Sequence, residues 1–151
     1  FTGLGAPHWL PEARAAITGL TRESTKAHIA RAALEAQGYQ TLDLLMAMEA
    51  DSGIFPAILR ADGGLTANSF MCEFLPDLLQ IPVELPRVTE TTALGAAYLA
   101  GLHTGLYASP DEIASQWSQD KLFTPQADKK AMAGLYQDWQ RIIADHLSKG
   151  L

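Results

Sequence analysis

The chain has 151 residues, 48% of them apolar, and a formal net charge of −6, so it can bury a core within one domain, and bulk disorder is excluded. The acidic balance, with lysines and arginines scattered along the chain, argues against nucleic acid or an anionic membrane as the main partner. A single cysteine, Cys72, excludes an intrachain disulfide, and no apolar run approaches the roughly 20 residues that span a bilayer; a soluble protein in the reducing cytoplasm is the expectation.

The first residues, FTGLGAPHW, form a glycine-rich stretch with no preceding element for it to leave, which reads as part of a longer polypeptide. Gly3, Gly5, Pro7 and Pro11 punctuate an irregular connection, with Trp9 expected to pin it down and His8 read as a surface or packing residue. AAITGLT, residues 15–21, is expected to form a short strand closing at Gly19. Ser24 or Thr25 then caps a helix running from Lys26 to about Ala50, where Ile29, Ala32, Ala33, Ala36, Leu44 and Ala47 recur at helical spacing. Leu34, Leu42, Leu45, Met46 and Met48 widen that apolar surface, so burial on more than one side is expected. Gly38 inside the helix costs about 1 kcal/mol relative to alanine and points to close packing; Ser52-Gly53 ends the helix.

A strand over 57–61 follows Pro56 and runs into Asp62-Gly63-Gly64, after which residues 65–79 read as a helix with Phe70, Phe74, Leu75 and Leu78 on one stripe. Pro76 is expected to kink or shorten it near its end. IPVELP at 81–86 reads as a strand whose two prolines suggest an edge or a very short pairing. Thr89 to Thr92 can cap a third helix, TALGAAYLAGLHTG, whose small residues Ala93, Gly95, Ala96, Ala97 and Ala100 let another backbone come close. A short helix opens at Ser109-Pro110-Asp111, Phe123 and Pro125 mark an extended link, and Met132, Leu135, Trp139, Ile142, Ile143 and Leu147 outline a final amphipathic helix. The alternation of helix and strand over 25–105 builds an α/β sheet with helices on its faces.

In such sheets ligands sit at the carboxyl ends of strands, where Asp62, Gly63 and Gly64 fall. A strand ending in a glycine pair and feeding a helix lets backbone amides approach a ligand with no side chain in the way. Asp62 is expected to bond neighbouring backbone amides. The four histidines, His8, His28, His103 and His146, are far apart in sequence, and no cysteine cluster accompanies them, so no metal-binding residues are assigned.

ADGGLTANSF, TETTALGAAYLAG, AAITGLT and HIARAALE occur as separate motifs, and together they resemble the C-terminal half of the carbohydrate kinases of the FGGY family. The resemblance runs from Phe1 to about Thr124 and implies an α/β actin-like ATPase fold (ribonuclease H-like). On that basis residues 1–124 are the C-terminal kinase domain and 125–151 a helix docked on it. The resemblance further implies that two related domains close on ATP and Mg2+ and transfer the γ-phosphoryl group to a polyol. FTGLGAPHW leading into ARAAITGLTRES is closest to members acting on glycerol, so ATP, ADP and glycerol are the implied partners of the full polypeptide. Gly64 matches the family's nucleotide-binding glycine and Asn68 the asparagine at the adenosine end, while Gly63 would shape the turn. The family's first phosphate loop, polyol contacts and aspartate base lie upstream of the residues matched here, so no catalytic residue is assigned. The alternatives are a kinase of pentuloses or sugar acids, or a noncatalytic interaction module. Apolar surface left by an absent half favours association, with a homo-oligomer the expected state.

Overall fold

The computed structural model describes residues 2–148. Strands β1 (Thr2–Leu4) and β2 (Leu10–Arg14) form an antiparallel hairpin, and helix α1 spans Lys26–Ser52. Strand β3 (Leu59–Arg60) leads through a 3-10 turn (Gly64–Ala67) into α2 (Ser69–Leu79). Strand β4 (Val83–Pro86), helices α3 (Thr91–Thr104) and α4 (Pro110–Ser115), strand β5 (Gln119–Phe123) and helix α5 (Lys129–Ser148) complete the order.

Helix α2 is the hub. One side packs on α1 and α5 through Phe74, Leu78 and Leu79, which meet Tyr39, Leu42 and Leu45 of α1, with Met132, Tyr136 and Trp139 of α5 closing over them. The other side carries Cys72 onto Val83 and Leu85 of the sheet, with Leu59, Ala61 and Phe123 around them. This places α2 between two helices and a three-stranded sheet of order β3-β4-β5, parallel between the first two strands and antiparallel between the last two.

Helix α1 starts where Thr25 donates its backbone N–H to His28 Nδ1 at 3.1 Å and ends at Gly53, whose φ of 73° puts it in the left-handed region and whose N–H reaches Glu49 O at 2.7 Å. Its buried residues, Gly38, Tyr39, Leu42 and Leu45, form one stripe. The expectation of burial on several sides is therefore corrected: Leu44, Met46 and Met48 are 43%, 46% and 54% exposed, because α2 and α5 cover only one flank. Gly38 is where α2 comes closest, since a Cβ there would stand 2.7 Å from Phe74 Cε1.

Four other expectations change. Residues 15–20 have no regular structure and leave Ile17 and Leu20 63% and 58% exposed; no described strand lies alongside to complete a ladder. The strand in this region lies earlier, in the hairpin, whose loop holds Trp9 at φ 51° and 74% exposed, so the indole does not anchor it. Strand β4 is the middle strand rather than an edge, although its ladder to β3 is the short pairing expected, two residues long; Pro82 precedes the strand and contributes only its carbonyl, to Leu59 N at 3.0 Å, while Pro86 occupies the last pair with β5, where the register shifts. The small-residue face of α3 has no described partner: Ala93, Ala96, Ala97 and Ala100 are exposed, and a Cβ on Gly95 would meet nothing within 4 Å.

Two carboxylates tie the C-terminal segment down. Asp43 of α1 accepts from the Tyr136 hydroxyl at 2.6 Å and from Trp139 Nε1 at 2.8 Å. Asp77 of α2 accepts from the backbone N–H groups of Gln126 and Ala127 at 2.6 and 2.9 Å. Burial, reinforced by the neighbouring Glu35, pushes the Tyr39 phenol up to about 12, and burial together with the hydrogen bond to Asp43 raises Tyr136 as well.

At Gly38 the helix-propensity gain of alanine, about 1 kcal/mol, is opposed by an overpacking cost of about 1–3 kcal/mol against the Phe74 ring. Gly38→Ala is thus expected to lose about 1 kcal/mol in urea unfolding. Gly134→Ala in α5, where a new Cβ meets nothing within 4 Å, is expected to gain up to about 1 kcal/mol. The raised phenols set an alkaline limit. Their contribution is intact below the unfolded value of about pH 10 and is lost as pH rises through the folded values. The urea midpoint is expected to fall from about pH 10 upward, less steeply in Tyr39→Phe.

Candidate functional site: the turn after the first sheet strand

The turn that follows β3 is built by its glycines. Gly63 has φ 83°, a conformation that side chains rarely adopt. Gly64 opens the 3-10 turn, a Cβ on it would meet nothing within 4 Å, and its backbone N–H has no acceptor among the described residues. Thr66 closes the turn on itself, donating both its N–H and its hydroxyl to Gly63 O, at 3.1 and 2.7 Å. Asp62 is exposed and no described amide donates to its carboxylate, which corrects the expectation that it holds the loop; Thr66 does so instead.

Asn68 ends the turn and caps α2. Its Oδ1 accepts from Met71 N at 3.3 Å, satisfying one of the helix's free N–H groups. The other half of the carboxamide, Nδ2, donates to no described residue. Behind the turn, Cys72 Sγ donates to Thr66 O at 3.2 Å. Burial pushes this thiol up, partly offset by Lys121, so it is a packing group rather than a nucleophile.

The glycines line a cleft of about 270 Å³ shared with Leu85 and Pro86 at the end of β4, Thr89 and Glu90 before α3, and Asp120 and Lys121 of β5. All three strands bring to this cleft the end that carries the turn, since β5 runs antiparallel and enters here. The cleft contains Gly63 and Gly64 of the sequence-derived set; Asn68 sits at the far end of the turn and does not line it. Thr89 and Glu90 were legible only as a helix start, where Glu90 is indeed the N-cap, and Asp120 and Lys121 carried no signal, because the strand holding them does not alternate polar and apolar residues.

A larger cavity of about 420 Å³ lies between α1, α5 and the hairpin loop, lined by Asp43, Met46, Trp139 and Ile143 among others. Its one carboxylate already holds α5 through Tyr136 and Trp139, so this space is a packing seam and the glycine cleft is the candidate site.

Residues 1–104 match the C-terminal domain of the FGGY family of carbohydrate kinases. The chain belongs to that family. It is 58% identical over 143 residues to a glycerol kinase of Rhodospirillum rubrum and 53% identical to one of Bacillus cytotoxicus, each match covering 95% of this chain and 29% of the relative. The FGGY chain thus spans under a third of the length of those relatives. Among solved structures, glycerol kinase of Plasmodium falciparum with ADP superposes with a TM-score of 0.81 at 34% identity, covering 97% of this chain and 29% of that one. Xylulose kinase of Rhodospirillum rubrum gives 0.71 at 29%, covering 89% and 28%. The architecture is accordingly that of an FGGY C-terminal domain, an actin-like ATPase fold.

The cap at Asn68 can be separated from any ligand role. Asn68→Ala is expected to cost about 1 kcal/mol of stability, measured by urea unfolding. Asn68→Ser, which keeps an acceptor at the cap, is expected to cost only a few tenths of that, roughly 0.3 kcal/mol.

Proposed function

We propose that this chain is the nucleotide-side, C-terminal portion of a glycerol kinase whose full polypeptide transfers the γ-phosphoryl group of ATP to glycerol, giving glycerol 3-phosphate and ADP. The observation that carries the nucleotide side is the open glycine turn: a free Gly64 N–H at the carboxyl end of β3, with space where a side chain would stand. Backbone amides in that position bind a ligand without steric cost. Glycerol is favoured over a pentulose by identities of 52–58% to glycerol kinases, against 29% to the xylulose kinase.

The two halves of the Asn68 carboxamide divide the work. Oδ1 keeps α2 capped while Nδ2 is left to donate to the adenosine end of a nucleotide that extends past the cleft along the turn from Gly64 N–H. Gly63 gives the turn its shape. The residues therefore fit an adenine nucleotide. They do not fit a metal in the same way, since no three His, Cys, Asp or Glu side chains converge among the described residues; Mg2+ would travel on the phosphates. In-line transfer needs phosphates, metal and acceptor hydroxyl positioned together, and this chain supplies only the nucleoside side.

In the full-length polypeptide, millimolar ATP is expected to raise the melting temperature, and Asn68→Ser to weaken ATP binding roughly fivefold, the equivalent of one hydrogen bond of about 1 kcal/mol. The 151 residues alone are expected to show no turnover of ATP with glycerol. Unchanged ATP affinity in Asn68→Ser overturns the nucleotide assignment, and turnover by the isolated chain overturns the expectation that it is inactive on its own.

A further inference from the structure

We propose that Arg60, acting through Glu84 and Trp117, is a positioning residue that fixes the glycine turn from the opposite face of the sheet; this rests on the nucleotide assignment to that turn.

Strand β3 has only two ladder residues and lies at an edge of the described sheet. Flanking its ladder to β4, Leu59 N donates to Pro82 O and Ala61 N to Glu84 O, each at 3.0 Å. Past Ala61 the chain reaches Asp62, which takes no bond from a described amide, and then Gly63, whose turn is closed by Thr66 and held from the α2 side by the Cys72 thiol. On the sheet side, where Gly64 N–H points is set by how firmly the end of β3 is held, while Cys72 holds the far side of the turn.

Alternation along the strands gives the two faces different work. Leu59, Ala61, Val83 and Leu85 face α2, so Arg60 and Glu84, which are partners in the ladder, face the other way. There Arg60 Nε donates to Glu84 Oε2 at 3.2 Å, and the guanidinium carbon lies 3.8 Å from the centroid of the Trp117 ring, two residues before β5. One planar group thus joins the end of β3 to β4 and to the entry of β5. The Arg60 side chain is 59% exposed but that of Glu84 only 13%. An isolated exposed pair would contribute little; a flat guanidinium that stacks and pairs at once is geometrically fixed.

The molecule supplies its own control. Arg31 pairs with Glu35 and lies 5.2 Å from the Phe70 ring centroid, with a side chain 64% exposed, yet it sits on α1 and lines no part of the cleft.

In the full-length polypeptide, Arg60→Ala and Trp117→Ala are each expected to raise the KM for ATP about fivefold to tenfold, with kcat and the KM for the acceptor unchanged. Trp117→Phe, which keeps a ring face, is expected to stay within about twofold of wild type, Arg60→Lys to fall between, and Arg31→Ala to leave the KM for ATP unchanged. If Arg60→Ala leaves the KM for ATP within twofold while Asn68→Ser raises it, the brace is overturned and the nucleotide assignment stands. If Arg60→Ala changes kcat and both KM values together, or Arg31→Ala matches it, the role is merely structural and the proposal falls. If neither Arg60→Ala nor Asn68→Ser affects ATP, the nucleotide assignment fails and takes the brace with it.

Discussion

The contact on which this fold depends is the entry of the Phe74 ring into the gap left by Gly38. It brings α1 and α2 close enough for Tyr39 to meet Phe74 edge-on, with centroids 5.6 Å apart, and to stack on Trp139 at 5.4 Å. Aromatic pairs in these geometries contribute about 0.5–1.5 kcal/mol each beyond area burial. The missing side chain at one helical position therefore organises three helices. Because α2 also carries Cys72 onto Val83, which is 0% exposed, the same approach sets the distance between the helical layer and the sheet, and so the place from which the glycine turn projects.

The C-terminal segment is held differently, by directed polar bonds at two points. Asp43 and Asp77 each accept two hydrogen bonds from residues 126–139, and bonds to an ionised acceptor are roughly twice as strong as neutral ones. Neither carboxylate lines the glycine cleft. The segment covers the aromatic cluster, and its preceding strand contributes Asp120 and Lys121 to the cleft wall. Docking the tail and completing the site are therefore parts of one packing arrangement.

The helices were legible because local signals agree with their tertiary setting. Thr25 and Gly53 bracket α1, and the stripe through Phe74 and Leu78 marks α2. The candidate site was legible where it is local, in the run from Asp62 to Asn68, although Asn68 is a helix cap that does not line the cleft, and Asp62 is not the residue that closes the turn. What sequence could not show is pairing over distance. The proline-rich ends of β4 look like an edge until β5 is placed beside it, and β5 reads as a link because Gln119–Phe123 has no alternation. The hairpin at the start was hidden by its glycines and prolines, while AAITGLT has strand composition without a described neighbour. Six of the ten residues lining the cleft, Leu85, Pro86, Thr89, Glu90, Asp120 and Lys121, come from such distant segments.

The indoles described above lie in three unlike settings. Trp9 is 74% exposed, Trp117 lies beneath a guanidinium, and Trp139 is stacked on a phenol while bonded to a carboxylate. Intrinsic emission from this chain is consequently a composite of a water-relaxed, a cation-perturbed and an anion-bonded fluorophore, and a shift in its colour has to be resolved into those contributions before it can be assigned to one part of the molecule.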